Sequence, residues 1–225
     1  MYWLQTFTGK LVDVEHPTPE MVDIQDIAHA LSMTCRFGGH CRDFYSVAEH
    51  SLLVADEGMA IATKQESLKP GHERILDYER LGLILLLHDA AEAYTGDLTT
   101  PVKRTLDGFS GENVSPTTEL ERRWLLAIGE AFGMGGGSLG GGLNSEVSSP
   151  IVKEADSRAL AIEVVNLFHP VQPSWWADGR ERPTTETLLR CHPPAEARRQ
   201  FLNRFWFLQR QLNHRPAWNE EGLRP

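Results

Sequence analysis

Along most of the chain apolar residues recur three and four positions apart, the period of an α-helix that buries one face. The start is different. From Tyr2 to Val14 the run YWLQTFTGKLVDV alternates loosely about Gly9 and Lys10, which predicts a short β-hairpin. Ile24, Ile27, Ala28 and Leu31 then fall at helical spacing behind Asp23, a residue suited to cap the free N–H groups of a first turn. A further helix is predicted to open at Ser46, because Ser46, Val47, Ala48 and Glu49 form the S-x-x-E capping box. His50 follows on the side that carries Val47 and Val54.

The segment YERLGLILLLHDAAEAYT predicts one helix, capped by Asp77 and ended at Gly96. Its middle is apolar almost all round, so it belongs at the centre of the fold. After Pro101 the pattern turns polar, and the next predicted helix runs from about Pro116 to Phe132, burying Leu120, Trp124, Ile128 and Ala131 and ending at Gly133. Ser149 and Pro150 open another, with Val152, Ala155, Ala159 and Ile162 on one side. A final helix from about Pro193 to Leu212 repeats Phe201, Phe205, Leu208 and Leu212. Residues 133–142 hold seven glycines in ten, and read as a flexible loop, since no strand precedes them and no Gly-Lys-Ser/Thr follows. The expectation is an all-α helical bundle with a short N-terminal hairpin, one domain over residues 1–225.

Composition narrows the possible ligands. A chain of 225 residues with 41% hydrophobic content can bury its own core as one unit. Its net charge of −9 leaves no broad basic surface for a nucleic-acid polymer, while a small anion can still be held where a metal or a few arginines reverse the local field. Cys35, Cys41 and Cys191 make neither an even disulfide set nor a Cys-x-x-Cys knuckle. No leader pattern and no apolar run near eighteen residues is present, so a soluble cytoplasmic protein with no membrane partner is expected.

Chemistry enters with His88 and Asp89, adjacent in the apolar segment, and with Glu92 one helical turn on. Unpaired charge in a core is costly, so three ionisable groups in five residues need compensation. A divalent cation supplies it, and imidazole with carboxylate is the ligand set expected for cobalt, manganese, zinc, iron or nickel rather than calcium; magnesium is disfavoured. The remaining ligands must come from other helices, where His50 in YSVAEHS and Asp156 in VKEADSRAL stand out. The alternative is a set of hydrogen-bonded structural residues.

His50, the pair His88-Asp89 and distal Asp156 resemble the H…HD…D set of HD-domain phosphohydrolases, over roughly residues 30 to 165. The longer run HDAAEAYTGDLTTPVK resembles the bacterial deoxynucleoside 5′-monophosphatase branch. That resemblance implies a helical core, one divalent transition metal held by His50, His88, Asp89 and Asp156, and hydrolysis of a phosphate ester. It implies that Glu92 orients or deprotonates the attacking water. It also implies that Arg36, fourteen residues before His50, binds phosphate through its planar fork and that Phe37 packs near the sugar. Phe37 departs from the tryptophan of the best-known branch, and Thr99 replaces a common proline. Asp97, Leu98, Thr99 and Thr100 match the sugar- and phosphate-contacting loop, and Asp89 and Asp156 border the substrate.

The expected substrate is a small nucleotide, first a 5′-deoxynucleoside monophosphate. The alternatives are a deoxynucleoside triphosphate losing tripolyphosphate and a non-catalytic nucleotide-sensing module. A homo-oligomer is the expected assembly. His29, His40, His72, His169, His192 and His214 lack matching partners and read as structural or exposed. Cys35 and Cys41, which flank the arginine segment, carry no assigned chemistry. Trp175 and Trp176 read as a cover over a cleft or subunit contact, or as plain loop packing.

Overall fold

In the computed structural model the alternating start does form a hairpin, β1 (Trp3–Gln5) pairing antiparallel with β2 (Leu11–Asp13) so that Leu4 faces Val12. Val12 is the position that the hairpin buries in the core. The structure describes residues 3–67, 77–110, 115–135, 142–176, 182–183 and 187–213. His72, His214 and most of the glycine-rich stretch, residues 136–141, lie outside them.

Helix α1 (Ile24–Met33) starts as its sequence predicts, with the Asp23 carboxylate accepting from the Gln25 N–H. In α2 (Val47–Ser67) the capping box is reciprocal: the Glu49 N–H donates to Ser46 Oγ at 3.2 Å and the Ser46 N–H donates to Glu49 Oε2 at 3.1 Å. The Asp77 cap of α3 (Tyr78–Leu86) also holds, accepting from the Arg80 N–H.

The single long helix expected through His88 and Asp89 is corrected. The α-helix ends at Leu86, and α4 (Glu92–Thr95) begins only after a five-residue turn over 87–91. Leu87 at φ −100°, ψ 9° leaves the helical region, and the turn is closed by three-residue bonds from Ala90 N to Leu87 O and from Glu92 N to Asp89 O. An unbroken apolar pattern concealed the break, because both halves are buried. Gly96, at φ +80°, ends the segment where a glycine was expected to end it.

The polar stretch after Pro101, to which the sequence pattern assigned no element, is taken up by α5 (Thr100–Ser110). Its apolar residues Val102, Leu106 and Phe109 are exposed, so burial gave no clue to this helix. Helix α6 (Pro116–Ala131) buries Trp124 and Ile128 as predicted, but Ala131 is exposed at its end. A short α7 (Gly142–Glu146) starts at Gly142, the last residue of the expected loop. Helices α8 (Pro150–Leu167) and α9 (Pro194–Asn213) follow their predicted stripes, with Val152, Ala155, Ala159 and Ile162 buried in the first and Phe201, Phe205 and Leu208 in the second.

Helix α2 packs against α8 and α3, and α9 packs against α1, α2 and α3. One close approach sets the packing of α2 on α3: a Cβ on Gly58 of α2 would fall 2.3 Å from Leu85 Cδ2 of α3. Among the described residues, no helix is long and apolar enough to cross a membrane.

Candidate metal centre

The break after Leu86 shapes the site. Released from the helix, His88 turns its ring so that Nδ1 lies 2.9 Å from the Leu85 carbonyl. A carbonyl only accepts, so Nδ1 carries the proton and Nε2 is left as a free lone pair. His50 of α2, with no exposed surface, does the equivalent with a different partner: its Nδ1 lies 2.7 Å from Glu163 Oε1 of α8.

The Nε2 atoms of His50 and His88 are both buried and make no hydrogen bond. They converge on carboxylates. Asp89 Oδ2 is 3.1 Å from His88 Nε2 and 3.4 Å from His50 Nε2, and Asp156 Oδ1 of α8 is 3.2 Å from His50 Nε2. One ligand atom each from His50, His88 and Asp89 lies within 4.8 Å of the others. Buried nitrogens without partners cost about 1–3 kcal/mol each, and a divalent transition metal between two imidazoles and two carboxylates removes that cost. The residues present therefore fit such an ion, with half-exposed Asp156 on the open side.

Electrostatics bind the cluster together. Burial and Arg36 act against a charged His50, but Glu163, Asp156 and Asp89 outweigh them and raise its pKa well above the usual value. Burial acts against a charged Asp89, yet His88 and His50 hold it well below the carboxylate range. Glu92 goes the other way: burial, then the nearby Asp89 and Asp97 carboxylates, raises it well above its ordinary value. Its Oε2 is buried without a hydrogen bond, while Oε1 lies 3.5 Å from Lys103 Nζ, which also reaches Glu121 at 2.7 Å.

Arg36 arrives from the loop before α2. Its Nε donates to Glu163 Oε2 at 3.1 Å and its Nη1 lies 3.9 Å from Asp89 Oδ2. Phe37 sits in the left-handed region at φ 58°, uncommon for a side chain of its size, and packs edge-on against Phe168 at 4.9 Å and Trp175 at 6.4 Å. Trp175 thus packs beside the arginine loop. Thr99 comes near the same loop, its Cγ2 lying 3.9 Å from where a Cβ on Gly38 would stand. Asp97 is half-buried and raised, burial being the largest cause. Leu98 is half-buried, and Thr100 is exposed at the start of α5.

A cleft of about 460 Å³ opens on the cluster, with His88, Asp89 and Asp156 in its wall. The rest of the wall is Thr118, Glu121 and Arg122 of α6, Asn144 of α7, Ser148 just after it, and Lys153, one turn before Asp156 on α8. Arg36, Phe37 and residues 97–100 are not in this wall. Sequence reading passed over the α6 residues because the polar face of a helix looks the same whether it meets solvent or a ligand. Lys153 had a signal, since it precedes Asp156 by three positions and shares its face. Glu163 had one too, an acid two turns beyond Asp156 in an apolar stripe.

Other conspicuous residues stand apart. His29 stacks on Phe7 at 3.9 Å, and the His192 backbone N–H donates to Glu49 at 2.6 Å. Cys35 Sγ and Cys41 Sγ are 3.6 Å apart as free thiols, and burial with Cys35 beside it pushes Cys41 up to about 11.

The profile of the 5′-deoxynucleotidase YfbR-like family matches residues 29–115, which contain Arg36, His50, His88, Asp89 and Glu92. An uncharacterized protein of Rhodobacter capsulatus is 33% identical over 222 residues, spanning 94% of this chain and 97% of its own. The chain belongs to the YfbR-like family of HD-domain phosphohydrolases. A second uncharacterized relative, YfdR of Escherichia coli, is 30% identical over 207 residues, covering 91% of this chain and 94% of that one. A 5′-deoxynucleotidase of Vibrio parahaemolyticus is 34% identical over 113 residues, 50% of this chain and 57% of its own. As a YfbR-like protein the chain is a phosphohydrolase, and its His-His-Asp cluster could hold the metal on which such enzymes depend.

Proposed function

We propose that this YfbR-like protein hydrolyses the phosphate ester of a 5′-deoxynucleoside monophosphate. The observation that carries this reading is the pair of buried, unbonded Nε2 atoms of His50 and His88 facing the carboxylates of Asp89 and Asp156 at the mouth of a cleft. These four residues would hold one divalent transition ion. Such an ion, when bound, supplies Lewis-acid polarisation of a phosphoryl oxygen and lowers the pKa of water.

The chain's own groups do the rest. Arg36 keeps its Nε on Glu163, so its two terminal nitrogens are left to grip phosphate oxygens as a fork. Glu92 Oε2 is a buried acceptor without a partner, the atom that takes the proton of the attacking water, and Lys103 holds the other oxygen. Phe37, with Thr99 near its loop, borders the sugar. Asp97, Leu98 and Thr100 flank Thr99 in the segment that leads into α5 and border the substrate with it, and Asp89 and Asp156 face the substrate from the cluster.

The deoxynucleotidase relatives support the monophosphate. A second reading, release of tripolyphosphate from a deoxynucleoside triphosphate, is favoured by Lys153 in the cleft wall, a cation placed to meet further phosphates, while Arg122 beside it is held by Glu119 at 2.7 Å. The test is to load the metal-free protein with manganese, cobalt or zinc and offer deoxynucleoside monophosphates, ribonucleoside monophosphates and deoxynucleoside triphosphates, separating phosphate from tripolyphosphate. Phosphate released fastest from the deoxynucleoside monophosphates is the expected result. Tripolyphosphate as the main product would replace the first reading with the second, and metal uptake without turnover would defeat both.

A further inference from the structure

Asp156 and Glu163 are seven residues apart on α8, two turns or about 10 Å along its axis. The His50 ring lies between them, its Nε2 3.2 Å from Asp156 and its Nδ1 2.7 Å from Glu163. Glu163 has no exposed surface. A carboxyl group so placed is costly unless donors satisfy it, and two do: His50 at Oε1, and the Arg36 Nε–H at Oε2, 3.1 Å away. Those donors come from α2 and from the loop before it, so one side chain ties the cluster to the arginine.

We propose that Glu163 is a positioning residue that couples metal retention to phosphate recognition, fixing His50 through one oxygen and Arg36 through the other. This rests on the metal and phosphate roles proposed for those two residues. At His50, an acceptor on Nδ1 keeps the proton there, aims the Nε2 lone pair at the cluster and makes that nitrogen a better ligand. At Arg36, anchoring Nε holds the guanidinium plane, and Nη1 then lies 3.9 Å from Asp89 Oδ2. The chemistry of the carboxylate is specific to this task. Both its oxygens accept, whereas a glutamine of the same shape has one acceptor and one donor, and can serve only one of two donating partners.

Glu163→Gln therefore tests the coupling. Binding of manganese to the metal-free protein is measured by calorimetry, and inhibition by inorganic phosphate is measured at saturating manganese. The expected result is metal affinity lowered on the order of 10- to 100-fold. The phosphate inhibition constant, and KM with it, should rise on the order of 10-fold, with a smaller change in kcat. Unchanged metal and phosphate affinities in Glu163→Gln would overturn the inference and leave the metal centre standing. A wild-type protein that takes up no manganese would overturn the centre and the inference together. If Glu163→Gln does not fold, nitrogen NMR of the zinc-loaded wild type decides: a His50 proton on Nδ1, protected and hydrogen-bonded, supports the role, and a rapidly exchanging Nδ1 proton overturns it.

Discussion

Glu92 and Arg36 are both buried ionisable groups beside the same cluster, yet their bonds assign them opposite work. Glu92 has one oxygen near Lys103 and one without a hydrogen bond, so replacing it with glutamine keeps the size and the Lys103 contact but removes the proton acceptor. Glu92→Gln is expected to retain stoichiometric metal and to lose roughly 10²- to 10⁴-fold in kcat. Near-normal turnover at saturating metal would assign the proton to another group. Arg36 already spends its Nε on Glu163, and a lysine has a single nitrogen for both that carboxylate and a phosphate. Arg36→Lys should lower kcat/KM on the order of 10²-fold while the protein remains folded. Parallel melting curves and kinetics check this, and a large loss of melting temperature with unchanged kcat/KM would make the arginine structural.

Among the elements, α2 and the turn that follows α3 carry His50, His88 and Asp89, and their spacing depends on a residue far from the chemistry. Gly58 lets α2 approach Leu85, which has no exposed surface and lies at the end of α3 just before the turn to His88. A methyl group there must displace Leu85 Cδ1 and Cδ2, at 2.6 and 2.3 Å, in a filled core. Overpacking of this kind costs about 1–3 kcal/mol, against the roughly 1 kcal/mol that alanine gains over glycine inside a helix. Gly58→Ala is therefore expected to lower the melting temperature by several degrees, and because Leu85 O holds His88, to weaken metal binding as well. A melting temperature at or above that of the wild type would show that the helices separate at no cost.

For the whole molecule, the ligands come from α2, the α3–α4 turn and α8, segments that only folding brings together. An ion that binds this assembly and not the open chain stabilises it by about 2.7 kcal/mol at a hundred times its dissociation constant. In a chain of this length that is about 5–10 °C of melting temperature. Manganese added to the metal-free protein should raise the melting temperature by that amount, a chelator should reverse it, and His88→Ala should abolish the shift. An equal shift in His88→Ala would place the ion elsewhere.

Local signals in the sequence were enough for whatever depends on neighbours along the chain. The caps at Asp23, Ser46 and Asp77, the buried stripes of α8 and α9 and the hairpin before them follow from hydrogen-bonding needs and from period, which act within a few residues. His50, His88, Asp89 and Asp156 were legible because a charge in an apolar segment requires an explanation. The break after Leu86 was not, since continuous burial makes a turn and a helix look alike in the sequence. Only the packed molecule decided that Glu163 would meet both His50 and Arg36 across 113 and 127 positions, and that α6 and α7 would wall the cleft. Contacts at such separations depend on how helices pack, and a helix face records that it is buried without recording against what.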